Sequence, residues 1–201
     1  MDENLGDNVH GYIVAFDPYC YVGTSVLKNK AGLRDENDLK NFETVMSFAR
    51  AEEPLPNGNF SVAHYCAIHH HLFQDVYSWA GEFRTVRIGK DVSVFCYPGH
   101  IAEQMQLLFV KLKEQNFLKD RTQSEFAKGA ANFLAELNMI HPFREGNGRV
   151  QNTFLVLLAH HASHELDMQK LNPESLKGAM VQSFNGKEGL LEKLIEALIV
   201  K

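Results

Sequence analysis

The apolar pattern of this chain predicts a mostly α-helical protein with one small β-hairpin, and three observations predict it. Residues 122–140 keep helical spacing behind a capping pair. Residues 154–161 and 190–198 keep the same period. One stretch, 82–97, is instead rich in Val, Ile, Thr and aromatic side chains.

Taken in order, Asn57-Gly58-Asn59 is a loop signal ahead of a helix from about Ser61 to Asp75. Glu82 to Ile88 and Val92 to Tyr97, separated by Gly89-Lys90-Asp91, read as the two arms of a hairpin. Thr122 stands three before Glu125, a capping box, and Phe126, Ala130, Phe133, Leu134 and Leu137 then repeat helically up to Ile140. Phe154, Leu157, Leu158 and His161 continue that period beyond a loop. Asn172-Pro173 opens another helix that closes near Gly186, and Leu190, Leu191, Leu194, Ile195 and Leu198 form a last amphipathic stripe.

With 201 residues, 45% of them hydrophobic, the chain can bury one substantial core, and no repeat or linker divides it. A single domain over 1–201 is expected, with core helices and loop at about 60–165 and the hairpin at about 82–97. A net charge of −5 argues against a general nucleic-acid binder. No apolar run approaches the roughly 18 residues of a membrane span. The acidic N-terminus carries no signal-peptide pattern, so a cytoplasmic protein is expected. Cys20, Cys66 and Cys96 are widely spaced and odd in number, which favours reduced thiols. The oligomeric state stays open, a homo-oligomer included.

Residues 141–149 read His-Pro-Phe-Arg-Glu-Gly-Asn-Gly-Arg between two helical patterns. Gly146 and Gly148 permit positive φ and close approach of an anion to the main chain. A helix starting near Gly148 would point unpaired N–H groups and its positive end at that anion. Arg149 adds a planar fork of donors, and Asn147 an amide hydrogen. Glu145 would repel a bare phosphate, so it calls for a cation such as magnesium shared with substrate phosphates. His141 titrates near neutral pH and suits the removal of a proton from a hydroxyl.

Each piece has a plainer reading. A histidine before proline is commonly a turn residue, and Gly-x-Gly commonly a tight turn. Gly148 is followed by Arg149 and Val150, not Lys and Ser/Thr, so the P-loop pattern fails. Position 151 is Gln where the dinucleotide fingerprint needs a third glycine. A two-metal hydrolase would want more carboxylates than Glu145 alone. His69, His70 and His71 point about 100° apart on a helix and cannot share one metal. His160, His161 and His164 have no intervening glutamate and read as core-edge and surface residues, Phe73, Tyr77 and Trp79 as core, and Asp167, Glu192 and Glu196 as solvated.

The nine-residue run resembles the signature of the Fic (filamentation induced by cAMP) family, His-Pro-Phe-x-Asp/Glu-Gly-Asn-Gly-Arg-x-x-Arg. It matches at His141, Pro142, Phe143, Glu145, Gly146, Asn147, Gly148 and Arg149, and departs at Asn152. Tyr21 to Asn29 is similar to the family's opening segment, and Ile68 to Arg84 to its central helix and the turn after it. The resemblance implies a Fic-type helical bundle with a β-hairpin flap, moving AMP from ATP to a Tyr, Thr or Ser hydroxyl of a target protein. It implies His141 as general base, Glu145 as the Mg2+ ligand, and Gly146, Asn147 and Gly148 as the anion cradle. Arg149 would grip an ATP phosphate, and Phe143 would seat the loop. Arg84, Thr85, Val86, Arg87 and Ile88 would line the flap edge and pair with an extended target segment.

Asn152 stands where relatives hold the terminal phosphate with a second arginine. One lost charge-assisted contact costs roughly 1.5–3 kcal/mol. The resemblance therefore keeps two alternatives: a degenerate member that binds nucleotide or partner with little turnover, and a phosphotransferase using another donor. Arg144 and Arg84 are candidate replacements for the missing cation. The family's inhibitory segment, Ser/Thr-x-x-x-Glu-Gly/Asn, has no match here. Glu188-Gly189 is preceded at the fourth position by Phe184, with Ser183 one step too far.

Overall fold

A computed structural model describes residues 17–90 and 93–200. The acidic N-terminus and the hairpin-turn residues Asp91 and Val92 lie outside the described residues. Within them, seven α-helices and one two-stranded ladder succeed one another in chain order. They are α1 (Glu36–Ala51), α2 (Val62–Phe73), β1 (Gly89–Lys90), β2 (Ser93–Val94), α3 (Ile101–Glu114), α4 (Gln123–Ile140), α5 (Asn147–His161), α6 (Pro173–Phe184) and α7 (Gly189–Leu198). None of the described helices is long and apolar enough to cross a membrane.

The helices begin where the sequence supplies acceptors for the first unpaired N–H groups. Asp35 accepts from Asn37 and Asp38 at the start of α1, and Ser61 from His64 at the start of α2. Thr122 and Glu125 complete the expected capping box of α4. Asn172 caps α6, with Pro173 in its first turn. Apolar patterning gives no expectation for α1 or α3.

The chain packs as two units. The first comprises the described residues up to Ile101 with Pro142–Val150, and the second Ala102–His141 with the residues from Gln151 onward. In the first, α1 lies against α2. Arg50 of α1 bonds both carboxylate oxygens of Asp75, at 2.6 and 3.0 Å. Tyr65, Ile68, Phe73 and Tyr77 are buried, with Trp79 nearly so, which bears out the assignment of the aromatic cluster to the core. The three consecutive histidines fan out to separate carbonyls. His69 reaches Glu145 O at 3.0 Å, His70 reaches Ala80 O at 2.9 Å and His71 reaches Arg50 O at 2.8 Å.

The 82–97 segment is less regular than expected. Among the described residues only Gly89↔Val94 and Lys90↔Ser93 pair in an antiparallel ladder, so the arms do not extend over the lengths expected. One bond, Phe95 N–H to Ile88 O at 3.3 Å, prolongs the pairing. The reason lies in Arg84 and Thr85, whose backbone N–H groups bond elsewhere. Arg84 N–H donates to Pro142 O at 2.9 Å, and Thr85 N–H donates to Tyr19 Oη at 3.2 Å.

In the second unit α4 packs against α6 and α7, burying Phe126, Ala130, Phe133, Leu134 and Leu137 along with Leu191, Ile195 and Leu198. Phe109 of α3 meets Phe133 and Phe154 with ring centroids 5.4 and 5.5 Å apart. Edge-on aromatic contacts of this kind add about 0.5–1.5 kcal/mol beyond area burial. Asp167, expected as a solvated residue, accepts from Gln169 N–H at 3.1 Å and pairs with Lys170.

Candidate functional site

The loop from 141 to 149 begins where α4 ends. His141 is the C-cap residue in the left-handed conformation (φ 48°, ψ 64°), and its N–H closes the last turn on Leu137 O at 3.0 Å. A non-glycine residue there is uncommon, and strained backbone of this kind gathers at functional sites.

Within the first unit, the loop after His141 is closed by its own side chains. Phe143 N–H donates to Asn147 Oδ1 at 3.0 Å, and Asn147 Nδ2 donates back to Phe143 O at 2.8 Å. The Phe143 ring is fully buried, stacked on His69 with centroids 3.7 Å apart and on Tyr65 at 5.6 Å. Asn147 thus directs its amide to the loop backbone, not outward to an anion as expected. The reason is that the tight turn leaves two buried backbone groups that need partners.

The two glycines differ. Gly146 has φ +82°, and a Cβ there would lie 2.5 Å from the Phe73 ring and 3.1 Å from His69 Nε2. Gly148 has open space around the position of a Cβ and is exposed. One glycine lets the turn form; the other leaves the main chain bare at the start of α5. There the first N–H groups have no intrahelical partners, and the helix dipole favours an anion.

Glu145 is half-buried, and Gly146 N–H donates to its Oε1 at 3.0 Å. Burial, and next the charge of Glu43, push its carboxyl above the ordinary range, against the opposing pull of that N–H and of Arg149. A carboxylate destabilised in this way gains from a cation beside it. Among the described residues no group of three or more His, Cys, Asp or Glu is placed to hold a metal.

Arg149 extends across the Phe73 ring, its guanidinium carbon 4.6 Å from the centroid. It donates to Glu43 and, at 3.0 Å, to Ser47 Oγ, both on α1. The other Glu43 oxygen accepts from Tyr77 OH. Burial and Glu43 hold the Tyr77 phenol well above its ordinary range, so it stays a donor. Sequence patterning does not single out Glu43 or Ser47, and it gives Tyr77 only a place in the core. A carboxylate and a hydroxyl on a helix carry no local signal of a partner 102 or 106 positions away.

Neither candidate replacement cation is available to a ligand. Arg144 is fully buried and donates through Nε and Nη2 to Asp17 Oδ2, at 2.8 and 2.6 Å. Arg84 is 2% exposed, and its two terminal nitrogens hold Val86 O at 2.7 Å and Cys96 O at 2.6 Å. Of the other flap residues, Thr85 and Arg87 are exposed, Val86 half-exposed and Ile88 buried. Asn152 lies further along α5, in the second unit, half-buried.

The chain is similar to known proteins. Residues 59–159 match the family model described as the Fic/DOC family. The chain is 48% identical over 190 residues to a probable protein adenylyltransferase, y4lH, of Sinorhizobium fredii, covering 94% of this chain and 98% of the relative. It is 34% identical over 182 residues to the protein adenylyltransferase VbhT of Bartonella schoenbuchensis, covering 89% of this chain and 38% of that protein. Among solved structures it is similar to BepC, a VirB-translocated effector of Bartonella tribocorum crystallised with bound AMPPNP. The TM-score is 0.82 at 28% identity, covering 90% of this chain and 96% of that one.

Proposed function

Because the chain belongs to the Fic/DOC family, we propose that it is a protein adenylyltransferase, moving AMP from ATP to a Tyr, Thr or Ser hydroxyl of a target protein and releasing pyrophosphate. The observation that carries this reading is the closed loop before α5, which leaves Gly148 bare and Arg149 held beside Glu145. The names of the relatives and the AMPPNP bound to BepC support the choice of nucleotide.

Each residue has a role on this reading. The N–H groups at the start of α5, with Gly146, Asn147 and Gly148 shaping them, take phosphate oxygens, and Arg149 adds charge-assisted donors. Phe143 seats the loop. Glu145 would hold Mg2+, which supplies neutralisation of phosphate charge. His141, by its place in the signature, takes the proton of the attacking hydroxyl. The oxygen then forms a bond to the α-phosphorus as the bond to the pyrophosphate oxygen breaks. Thr85, Val86 and Arg87 form the edge that an extended target segment would meet, with Arg84 holding Val86 O and Ile88 anchored in the core.

Asn152 favours a second reading in the same family: a member with weak turnover, or one that takes phosphate from another donor. Arg144 and Arg84 are committed to Asp17 and to flap carbonyls, so neither supplies the missing cation. Transfer of label from α-labelled ATP to protein tests the proposal. Loss of about 10²–10⁴-fold in His141→Ala is expected of a missing general base. Transfer only from the γ position would replace AMP transfer by phosphoryl transfer, and no transfer from either would favour the binding-only member.

A further inference from the structure

His69 belongs to the histidine run on α2 and meets the signature loop with one ring edge and a face, its other edge meeting Gly81. Its Nδ1 accepts from Gly81 N–H at 2.8 Å, and its Nε2 lies 3.0 Å from Glu145 O. A carbonyl only accepts, so the proton of the ring sits on Nε2. An imidazolium could not accept from Gly81, so the ring is neutral with one defined tautomer. Its face stacks on Phe143 at 3.7 Å and lies near Phe73 at 4.8 Å. It is fully buried.

These contacts set the course of the backbone beyond Glu145. The Glu145 carbonyl belongs to the peptide whose N–H is that of Gly146. Holding that oxygen fixes the peptide plane, the positive φ of Gly146 and the direction of the next amides. The same residue carries the Glu145 carboxylate, which accepts from Gly146 N–H. A Cβ added at Gly146 would meet His69 Nε2 itself. The imidazole and the left-handed glycine are fitted to each other.

We propose that His69 is a positioning residue for the nucleotide-binding loop, fixing the Glu145–Gly146 peptide through Nε2–H while Gly81 fixes its tautomer. The proposal rests on the adenylyltransferase reading for its ligand, though not for the anchoring itself. His69 touches no substrate on this account; it acts through Glu145, Gly146 and the first turn of α5.

Two substitutions separate positioning from bulk structural loss. His69→Gln places an amide nitrogen near Nε2 and keeps a donor for Glu145 O, while losing the acceptor for Gly81. His69→Asn places an oxygen near Nδ1 and keeps the acceptor, while losing the donor. Each removes one hydrogen bond and the ring stack, so comparable losses of thermal stability are expected. Hydrogen–deuterium exchange of residues 146–150 is measured on the full chain without ligand, and AMPPNP·Mg2+ binding by calorimetry. In His69→Asn, loop exchange should quicken and AMPPNP affinity should fall, each by about tenfold, the worth of one hydrogen bond. In His69→Gln both should stay near wild type. Equal exchange and equal affinity in the two variants, or losses that simply track melting temperature, would overturn the proposal. Absence of AMPPNP binding in wild type would instead overturn the nucleotide reading, and the exchange data alone would then decide the anchor. Should either variant fail to fold, His69→Ala with added imidazole replaces it: recovery of slow loop exchange supports the proposal and no recovery overturns it.

Discussion

The Glu43 carboxylate accepts hydrogen bonds from both Arg149 and Tyr77, which places a fully partnered anion behind the guanidinium proposed to meet a phosphate. Ser47, one turn further along α1, takes the other terminal nitrogen of Arg149. An arginine held in this way has lost its rotamer freedom before any ligand arrives, which reduces the entropy cost of binding.

Glu43→Ala should therefore weaken AMPPNP binding by about tenfold and destabilise the fold by roughly 1–3 kcal/mol, since Tyr77 OH loses its acceptor in a buried place. Calorimetry and urea unfolding measure the two effects. A rise in affinity would mean that Glu43 restrains Arg149 and does not prepare it.

The two glycines should respond in opposite senses. Gly146→Ala forces a side chain onto the Phe73 ring at a positive φ and should cost about 2 kcal/mol or more of stability. Gly148→Ala has space and sits in a helix, so stability should hold or rise by about 0.5 kcal/mol. Its added methyl group should nevertheless weaken nucleotide binding by crowding the bare main chain. Melting curves read beside binding isotherms distinguish the pair.

Acid stability should depend on His69. Burial lowers its pKa from 6.5 to about 3, against the raising effect of its bond to Glu145 O. The unfolded chain binds this proton at higher pH than the folded one does. The contribution is thus complete above about 6.5 and is lost as pH falls from there towards 3. His69→Gln has no proton to take up, so the gap in unfolding free energy between wild type and variant should narrow as pH drops through that window. Denaturant unfolding across roughly pH 4 to 7.5 gives the test; a gap constant with pH would contradict the burial argument.

Asn152→Arg should raise affinity for ATP with magnesium by about tenfold or more, the worth of one charge-assisted contact to phosphate. An unchanged affinity in calorimetry would show that ATP binding here does not need that charge.

Sequence patterning anticipates three helices by a local start signal, Ser61, Thr122–Glu125 and Asn172–Pro173, and α5 and α7 by their apolar stripes alone. α3 has such a stripe, in Ile101, Met105, Leu108 and Leu112, but it runs on from a 3-10 turn at Pro98–His100 with no Ser, Thr, Asp or Asn at its start. α1 escapes patterning for a deeper reason. Its buried positions are Leu39, Glu43 and Ser47, while Val45 and Phe48 face outward, 64% and 66% exposed. A helix that turns polar residues inward to serve Arg149 cannot announce itself by hydrophobic period. The hairpin is shorter than its composition suggests for the converse reason: Arg84 and Thr85 N–H find partners in Pro142 O and Tyr19 Oη instead of a neighbouring strand.

By itself the sequence determined where the candidate loop lies, because the helix start, the glycines and Arg149 fall within a few positions of one another. Only the tertiary structure decided which of the charged groups are open to a ligand. Arg144 is turned inward to Asp17, Arg84 to the flap carbonyls, and Arg149 is steadied from α1. A buried guanidinium such as that of Arg144 must find its acceptors wherever the packed chain brings them, and the acceptors of Arg144 and of half-exposed Arg149 lie far away in sequence.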